Sequence, residues 1–333
     1  RSAGERVTAV LIGLAVSALV VALLARFPGL APIDLPNPRS LHERPVARAG
    51  GWAIFAGWAA AAPFAGPPPG FSGASHATLS VSLAALFAIS LVDDYRGVSP
   101  AWRILVQTGA ALAVSCALAG FDPRAAAFIA ASATVLVAAT NFFNFMDGSD
   151  GLAGTMAVTG FGACAAAAAL AGAAWAPWLA LAGACLPFLA RNLPPARLFL
   201  GDAGSAPLGF TAGAAGLAGT TSGLWPAWFP LLVFLPFLAD ASATLARRAW
   251  RRERVWEAHR THYYQRLVRQ GAGHRGTLRV FGALMIGCAA SAIACLAFAP
   301  AAGWVALAVW IAIVAAVFAR IDYHVGDSQT RKP

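Results

Sequence analysis

VTAVLIGLAVSALVVALLAR, residues 7–26, carries no charge before its closing Arg26 and runs into Phe27-Pro28. A bilayer core needs about 20 predominantly apolar residues in one helix, so this stretch reads as a membrane helix. A secretory signal would end in a small-residue cleavage pattern, and Arg26-Phe27-Pro28 supplies none. Working outward, apolar stretches of the same kind recur to Arg320, broken by short polar or Pro/Gly-rich segments. Their spacing predicts eleven helices over 7–26, 50–66, 77–92, 101–119, 125–142, 152–172, 175–191, 203–219, 226–246, 278–298 and 302–320. Of 333 residues, 59% are hydrophobic and 11% charged, and the mean hydropathy is +0.67. An ordinary soluble domain is far more polar. The predicted fold class is all-α, a polytopic integral membrane protein of about 11 transmembrane helices. The five cysteines lie inside apolar stretches with no CxxC pair, and read as small core residues rather than metal ligands.

With the N-terminus outside, 21 of the 24 basic residues fall on the inner side, leaving Arg1, Arg6 and Arg124 outside. That asymmetry is what the positive-inside rule demands, and an even number of helices would spoil it. The net charge of +10 therefore needs no nucleic acid; topogenesis and anionic lipid headgroups account for it. Twelve of the fourteen acidic residues, all but Glu5 and Asp122, also gather on the inner face. Acidic residues contribute little to orientation, so topology leaves this placement unexplained.

Five inner loops carry the polar chemistry. The first, 37–51, is basic, broken by proline, and ends Arg48-Ala49-Gly50-Gly51, where a glycine pair at a helix start would let an anion approach backbone N–H groups. The second holds Asp93-Asp94 at the membrane surface. Adjacent carboxylates there are costly unless a cation or proton is shared, and Mg²⁺ suits them; a helix N-cap is the plainer alternative. The third, Asn141-Phe142-Phe143-Asn144-Phe145-Met146-Asp147-Gly148-Ser149-Asp150-Gly151, combines amides and carboxylates able to hold a base edge, sugar hydroxyls or a metal. In the fourth, Phe199-Leu200-Gly201-Asp202-Ala203-Gly204-Ser205, one carboxylate stands among small residues at a helix mouth, open to a metal diphosphate or to an N-cap role. The fifth, 247–277, reads as an amphipathic interfacial segment with Trp250 and Trp256 at headgroup depth; His259 and His262 are spaced to share a helical face.

In this order the motifs resemble the polyprenyl-phosphate N-acetylhexosamine-1-phosphate transferase family over nearly the whole chain: Asp93-Asp94, then Asn141-x-x-Asn144-x-x-Asp147-Gly148-x-Asp150-Gly151-Leu152, then Phe199-Leu200-Gly201-Asp202-Ala203-Gly204-Ser205, then His259-Arg260-Thr261-His262-Tyr263-Tyr264-Gln265-Arg266-Leu267. The last loop and the eleventh helix look most like the branch that starts O-antigen or related surface glycans. Thr261 replaces a middle histidine, and Pro45-Val46-Ala47-Arg48 departs from a Pro-Thr-Pro-Arg pattern, so Arg48 and the glycines alone carry over from the first loop.

The resemblance implies one transmembrane catalytic domain over 1–333, with 247–277 as a cytoplasmic loop within it, in a bacterial inner membrane. It implies transfer of a sugar 1-phosphate from a UDP-sugar to undecaprenyl phosphate on the cytoplasmic face, with UMP released. Mg²⁺, or Mn²⁺ in its place, would serve as cofactor; membrane lipids, and a second copy of the chain in a homodimer, are the other partners it admits. Asp202 would ligate the metal with Asp94 as a second ligand, and Asp93 would deprotonate or orient the lipid phosphate. Asn141, Asn144, Asp147 and Asp150 would hold nucleotide and sugar; Arg48, His259, Arg260 and His262 would steady phosphates. Direct attack and an aspartyl-phosphate route both stay open. A flippase or ion-coupled transporter is the competing reading; it would carry ionisable groups near the midplane, and Asp240 is the nearest residue to that description. A CDP-alcohol phosphotransferase would need further aspartates after Asp147-Gly148, and none follows in that helix.

Overall fold

A computed structural model describes residues 2–36, 41, 44–120, 122–254 and 259–330. Arg1, Arg39, Arg331 and Lys332 of the charge count, Asn37 to Ser40, His42 and Glu43 of the first loop, and Trp256 and Glu257 of the fifth lie outside the described residues. Thirteen α-helices follow in chain order: α1 (Ala3–Arg26), α2 (Gly50–Ala65), α3 (Gly73–Arg96), α4 (Pro100–Leu118), α5 (Ala126–Phe145), α6 (Leu152–Leu170), α7 (Ala176–Asn192), α8 (Asp202–Thr221), α9 (Trp228–Val233), α10 (Leu235–Trp250), α11 (Tyr263–Leu267), α12 (Gly273–Phe298) and α13 (Gly303–Thr330). The only described strands are β1 (Ile33–Asp34) and β2 (Val46–Ala47), an antiparallel pair.

A helix lies over each of the eleven stretches expected from hydropathy, and the chain is an all-α, multi-pass membrane protein. Seven helical runs among the described residues are long and apolar enough to cross a membrane: α1, α3, α4, α5, α6, the α11–α12 run and α13. The others depart for identifiable reasons. α2 and α7 have 16 and 17 residues, at the short end of what a bilayer core requires. The ninth stretch breaks at Phe234 into α9 and α10, because Pro236 lacks an N–H and its ring crowds the preceding turn. α8 is buried along sixteen of its twenty residues. A helix that faces protein on every side needs small residues more than lipid-facing ones, so its hydropathy is low. Gly209 and Gly213 let its backbone approach Ala139 and Thr140 of α5, where a Cβ at Gly209 would stand 2.6 Å from the Ala139 carbonyl oxygen. On the periphery Leu11, Leu19, Val81, Leu105, Val305 and Val309 are exposed, as lipid-facing positions should be.

α3 runs four residues past its expected end, so Asp93 and Asp94 sit in its last turn and not in a loop. The Gly50-Gly51 pair is also put to a different use than anion capture. Gly50 N–H and Gly51 N–H donate to the carbonyls of Phe199 and Leu200 at 2.8 and 2.9 Å. A Cβ on Gly51 would overlap the Gly204 backbone, so the pair lets α2 and α8 touch. A parallel bridge between Arg48 and Phe199 completes the seam. Thus the first and fourth loops are stitched backbone to backbone at one end of the bundle.

Candidate active site

Acidic groups at a helix C-terminus face the negative end of its dipole. Asp94 escapes this by reaching the start of another helix: its two oxygens accept Asp202 N–H and Ala203 N–H, each at 3.0 Å. Its side chain is 1% exposed. Asp94 therefore caps α8 from α3, each oxygen accepting one backbone N–H. Asp93 is held as firmly. Val98 N–H donates to one oxygen at 2.5 Å, and Arg103 reaches the other at 2.8 Å.

Asp202 stands between two guanidinium groups, Arg48 at 3.4 Å from one oxygen and Arg103 at 3.2 Å from the other. Arg48 also lies 3.3 Å from Asp94. Burial works against the charge of Arg48, but Asp202, Asp94, Asp34 and Asp147 outweigh it and raise its pKa. Asp147 faces the same cavity. Burial, with the repulsion of Asp202 added, holds its carboxyl well above the usual carboxylate range, Arg48 pulling the other way. A cavity of about 330 Å³ opens between these groups, lined on its polar side by Arg48, Asn144, Asp147, Asp150, Asp202 and His274.

The structure thus brings five of the sequence-predicted residues around one space. Asn144 donates to Ser205 at 3.1 Å, tying α5 to α8. Asp150 accepts Ala196 N–H at 2.9 Å, which fixes the 194–197 turn. Asn141 does not join them; it donates to Gln107 at 2.8 Å and to the Val137 carbonyl, a link between α4 and α5. His259, Arg260 and His262 also stay off the cavity wall. His259 stacks on His262 with ring centroids 4.9 Å apart, and His262 is 3% exposed against Asp240.

Asp240 is the residue that organises the fifth loop. Fully buried, it accepts His262 Nδ1 at 3.0 Å, Tyr263 N–H at 3.0 Å, Tyr264 N–H at 2.9 Å and the Thr244 hydroxyl at 3.1 Å. Every donor is internal, so it is an anchor for the start of α11 and not an ion-transport site. Tyr264, so held, donates to the Phe145 carbonyl at 2.9 Å and fills the space that a side chain at Gly148 would need. A second clamp joins α13: Asp322 takes Arg247 at 2.6 Å and Arg266 at 2.5 Å, with Tyr263 between the two guanidinium groups.

Two residues, His274 on the cavity and Arg103 beside Asp202, had no signal in the sequence. Arg103 looked like one topogenic arginine among many, yet it bridges Asp93 and Asp202. His274 sat in a glycine-rich run; its Nε2 lies 3.1 Å from the Leu41 carbonyl, which makes Nε2 the protonated nitrogen, and its Nδ1 accepts from the Ser149 hydroxyl and Asp150 N–H at 3.0 and 3.2 Å. No simple spacing rule marks either.

An all-α membrane protein with cations and carboxylates around a polar cavity at one end of its bundle has the groups to hold phosphate. Residues 76–220 match glycosyl transferase family 4. The chain is 26% identical to a probable undecaprenyl-phosphate N-acetylglucosaminyl 1-phosphate transferase of Bacillus subtilis (strain 168), over 83% of this chain and 82% of that protein. It is 28% identical to a decaprenyl-phosphate N-acetylglucosaminephosphotransferase of Mycolicibacterium smegmatis, over 80% and 75%, and 27% identical to the Mycobacterium tuberculosis (strain ATCC 25618 / H37Rv) protein of the same name, over 74% and 71%. These likenesses, over most of the chain, are to polyprenyl-phosphate N-acetylhexosamine-1-phosphate transferases.

Proposed function

We propose that the protein transfers an N-acetylhexosamine 1-phosphate from a UDP-sugar to undecaprenyl phosphate on the cytoplasmic face of a bacterial inner membrane, as the first membrane step of a cell-envelope glycan such as O-antigen. An oxygen of the lipid phosphate attacks the sugar-bearing phosphorus of the donor, the bond to UMP breaks, and a lipid-linked diphospho-sugar forms. The observation that carries this reading is the placement of Arg48 and Asp202 on one cavity, with Arg103 paired to Asp202 from beside it. Two phosphates that repel each other need cations fixed in advance where charge develops. The relatives are named for N-acetylglucosamine, which makes its UDP form the first donor to test.

A divalent cation suits the donor set in one mode only. Among the described residues no group of three or more His, Cys, Asp or Glu side chains could hold a metal. Mg²⁺, however, commonly uses one or two carboxylates and takes its remaining ligands from water and substrate phosphate. Asp202 and Asp147, both on the cavity, fit that mode; Asp94, off the cavity lining and capping α8, would act on the metal through the position of Asp202. When bound, the metal would offset charge on the diphosphate. In this proposal Arg48 and Arg103 bind phosphate oxygens, and Asn144 and Asp150 bind nucleotide or sugar. Asp93, with both oxygens engaged, orients Arg103 toward the lipid phosphate. His262 acts through Tyr264 on the cavity wall and not on the diphosphate itself.

The test is UMP release by detergent-solubilised protein with undecaprenyl phosphate, Mg²⁺ and a panel of UDP-sugars, alongside Asp93→Asn and Asp202→Asn. The wild type releases UMP with at least one donor, and each variant loses about 10²- to 10³-fold. Absence of UMP release with every donor sinks the transferase reading, and full activity in both variants sinks the site.

A further inference from the structure

A second cavity, of about 510 Å³, lies behind the wall that carries Arg48. One side is the last turns of α1, with Val21 and Leu24; the other bears Arg44, Arg191 and Arg197. The arginines come from two segments almost 150 positions apart in sequence. Arg197 N–H donates to the Arg191 carbonyl at 2.7 Å, which sets two of them in one turn. None of the three has an acidic partner among the described residues. Arg191 in the last turn of α7 also complements that helix's dipole, which explains one cation and not three. Leu23 and Phe27, exposed at the same end of α1, extend an apolar surface beside the cavity.

We infer that this cavity is a binding site for the phosphate headgroup of an anionic phospholipid, with Arg44, Arg191 and Arg197 on the phosphate and the end of α1 against the glycerol and upper acyl carbons. A soluble anion would use the arginines but leave the apolar half of the cavity without a partner. The inference does not depend on the transferase reading, because it concerns a different cavity and its test reads lipid binding.

The experiment titrates phosphatidylglycerol into the delipidated full chain in a neutral detergent and counts bound lipid by native mass spectrometry. A basic side chain near an anionic surface carries about a fivefold change in affinity, so Arg44→Gln/Arg191→Gln/Arg197→Gln weakens the tightest site roughly a hundredfold. Arg251→Gln/Arg252→Gln/Arg320→Gln removes the same charge away from the cavity and leaves that site unchanged. Glycerol 3-phosphate does not compete at concentrations where phosphatidylglycerol saturates. Equal loss in both triple variants would overturn the proposal in favour of diffuse charge, and competition by glycerol 3-phosphate would overturn the lipid assignment. Should the first triple variant elute as aggregate, the exposed Arg44→Gln alone replaces it, with about a fivefold loss expected and no change counting against the site.

Discussion

Asp240→Asn offers a measurable test of how the fifth loop is held. Oδ1 of Asp240 takes three donors and Oδ2 takes one, the N–H of Tyr264. An asparagine would keep its oxygen at the crowded position and turn its NH₂ toward Tyr264, setting a donor against a donor. One buried backbone N–H is then orphaned, at about 2 kcal/mol. Borne by the local opening of the 262–267 turn, that amounts to about a 30-fold rise in the open population. Tyr264 would leave the Phe145 carbonyl for that share of the time, and the wall of the donor cavity with it. Hydrogen exchange followed on peptides covering 259–268 should quicken by that factor, and KM for the UDP-sugar should rise with a smaller change in kcat. Asp240→Ala, which orphans all four donors, should be worse on both readouts. Exchange in that peptide within twofold of wild type for Asp240→Asn would refute the anchoring argument, since no other contact described here holds both tyrosine N–H groups.

Chelation by EDTA should abolish UMP release and added Mg²⁺ should restore it; activity that survives exhaustive chelation would remove the metal from Asp202 and Asp147. Gly51→Ala drives a methyl into the Gly204 backbone and should cost about 1–3 kcal/mol, read as a lower melting temperature in detergent. His259, pushed down to about 4 by burial, His262 and Arg248, stays neutral where an unfolded chain would take a proton. Stability should therefore fall as pH drops from about 6.5 toward 4, and His259→Gln should flatten that part of a melting profile taken at pH 7, 6 and 5.

Much of the fold was legible because lipid imposes a simple length rule, and each apolar stretch did become a helix. The rule loses force wherever a helix stops facing lipid, as α8 does, or where Pro236 interrupts one. The site was legible as a set of acids and amides at helix ends, but not the division of labour among them. Adjacency suggested that Asp93 and Asp94 share a cation; in the fold their side chains diverge, one to Arg103 and the other to the N-terminus of α8. Gly50 and Gly51 looked like an anion cradle because an exposed helix start and a buried helix seam have the same sequence. Asp240 stood out only as an acid inside an apolar stretch and His274 not at all, since the partners that define them include segments 22 and 233 residues away.

The small-residue surface of α8 has a consequence for how the protein is made. Only Leu208, Phe210 and Leu217 are strongly apolar among its residues, worth about −1 to −2 kcal/mol together on an insertion scale, and Asp202 opposes them. Left to itself at the translocation channel, this segment has little reason to leave water. Its natural companions, α5 and α3, are synthesised before it and must still be close by when it emerges. Membrane insertion and tertiary packing would then be one event for this helix, and the order of the genes' codons would double as an assembly schedule in which the catalytic end of the bundle closes only after α8 has been received by its neighbours.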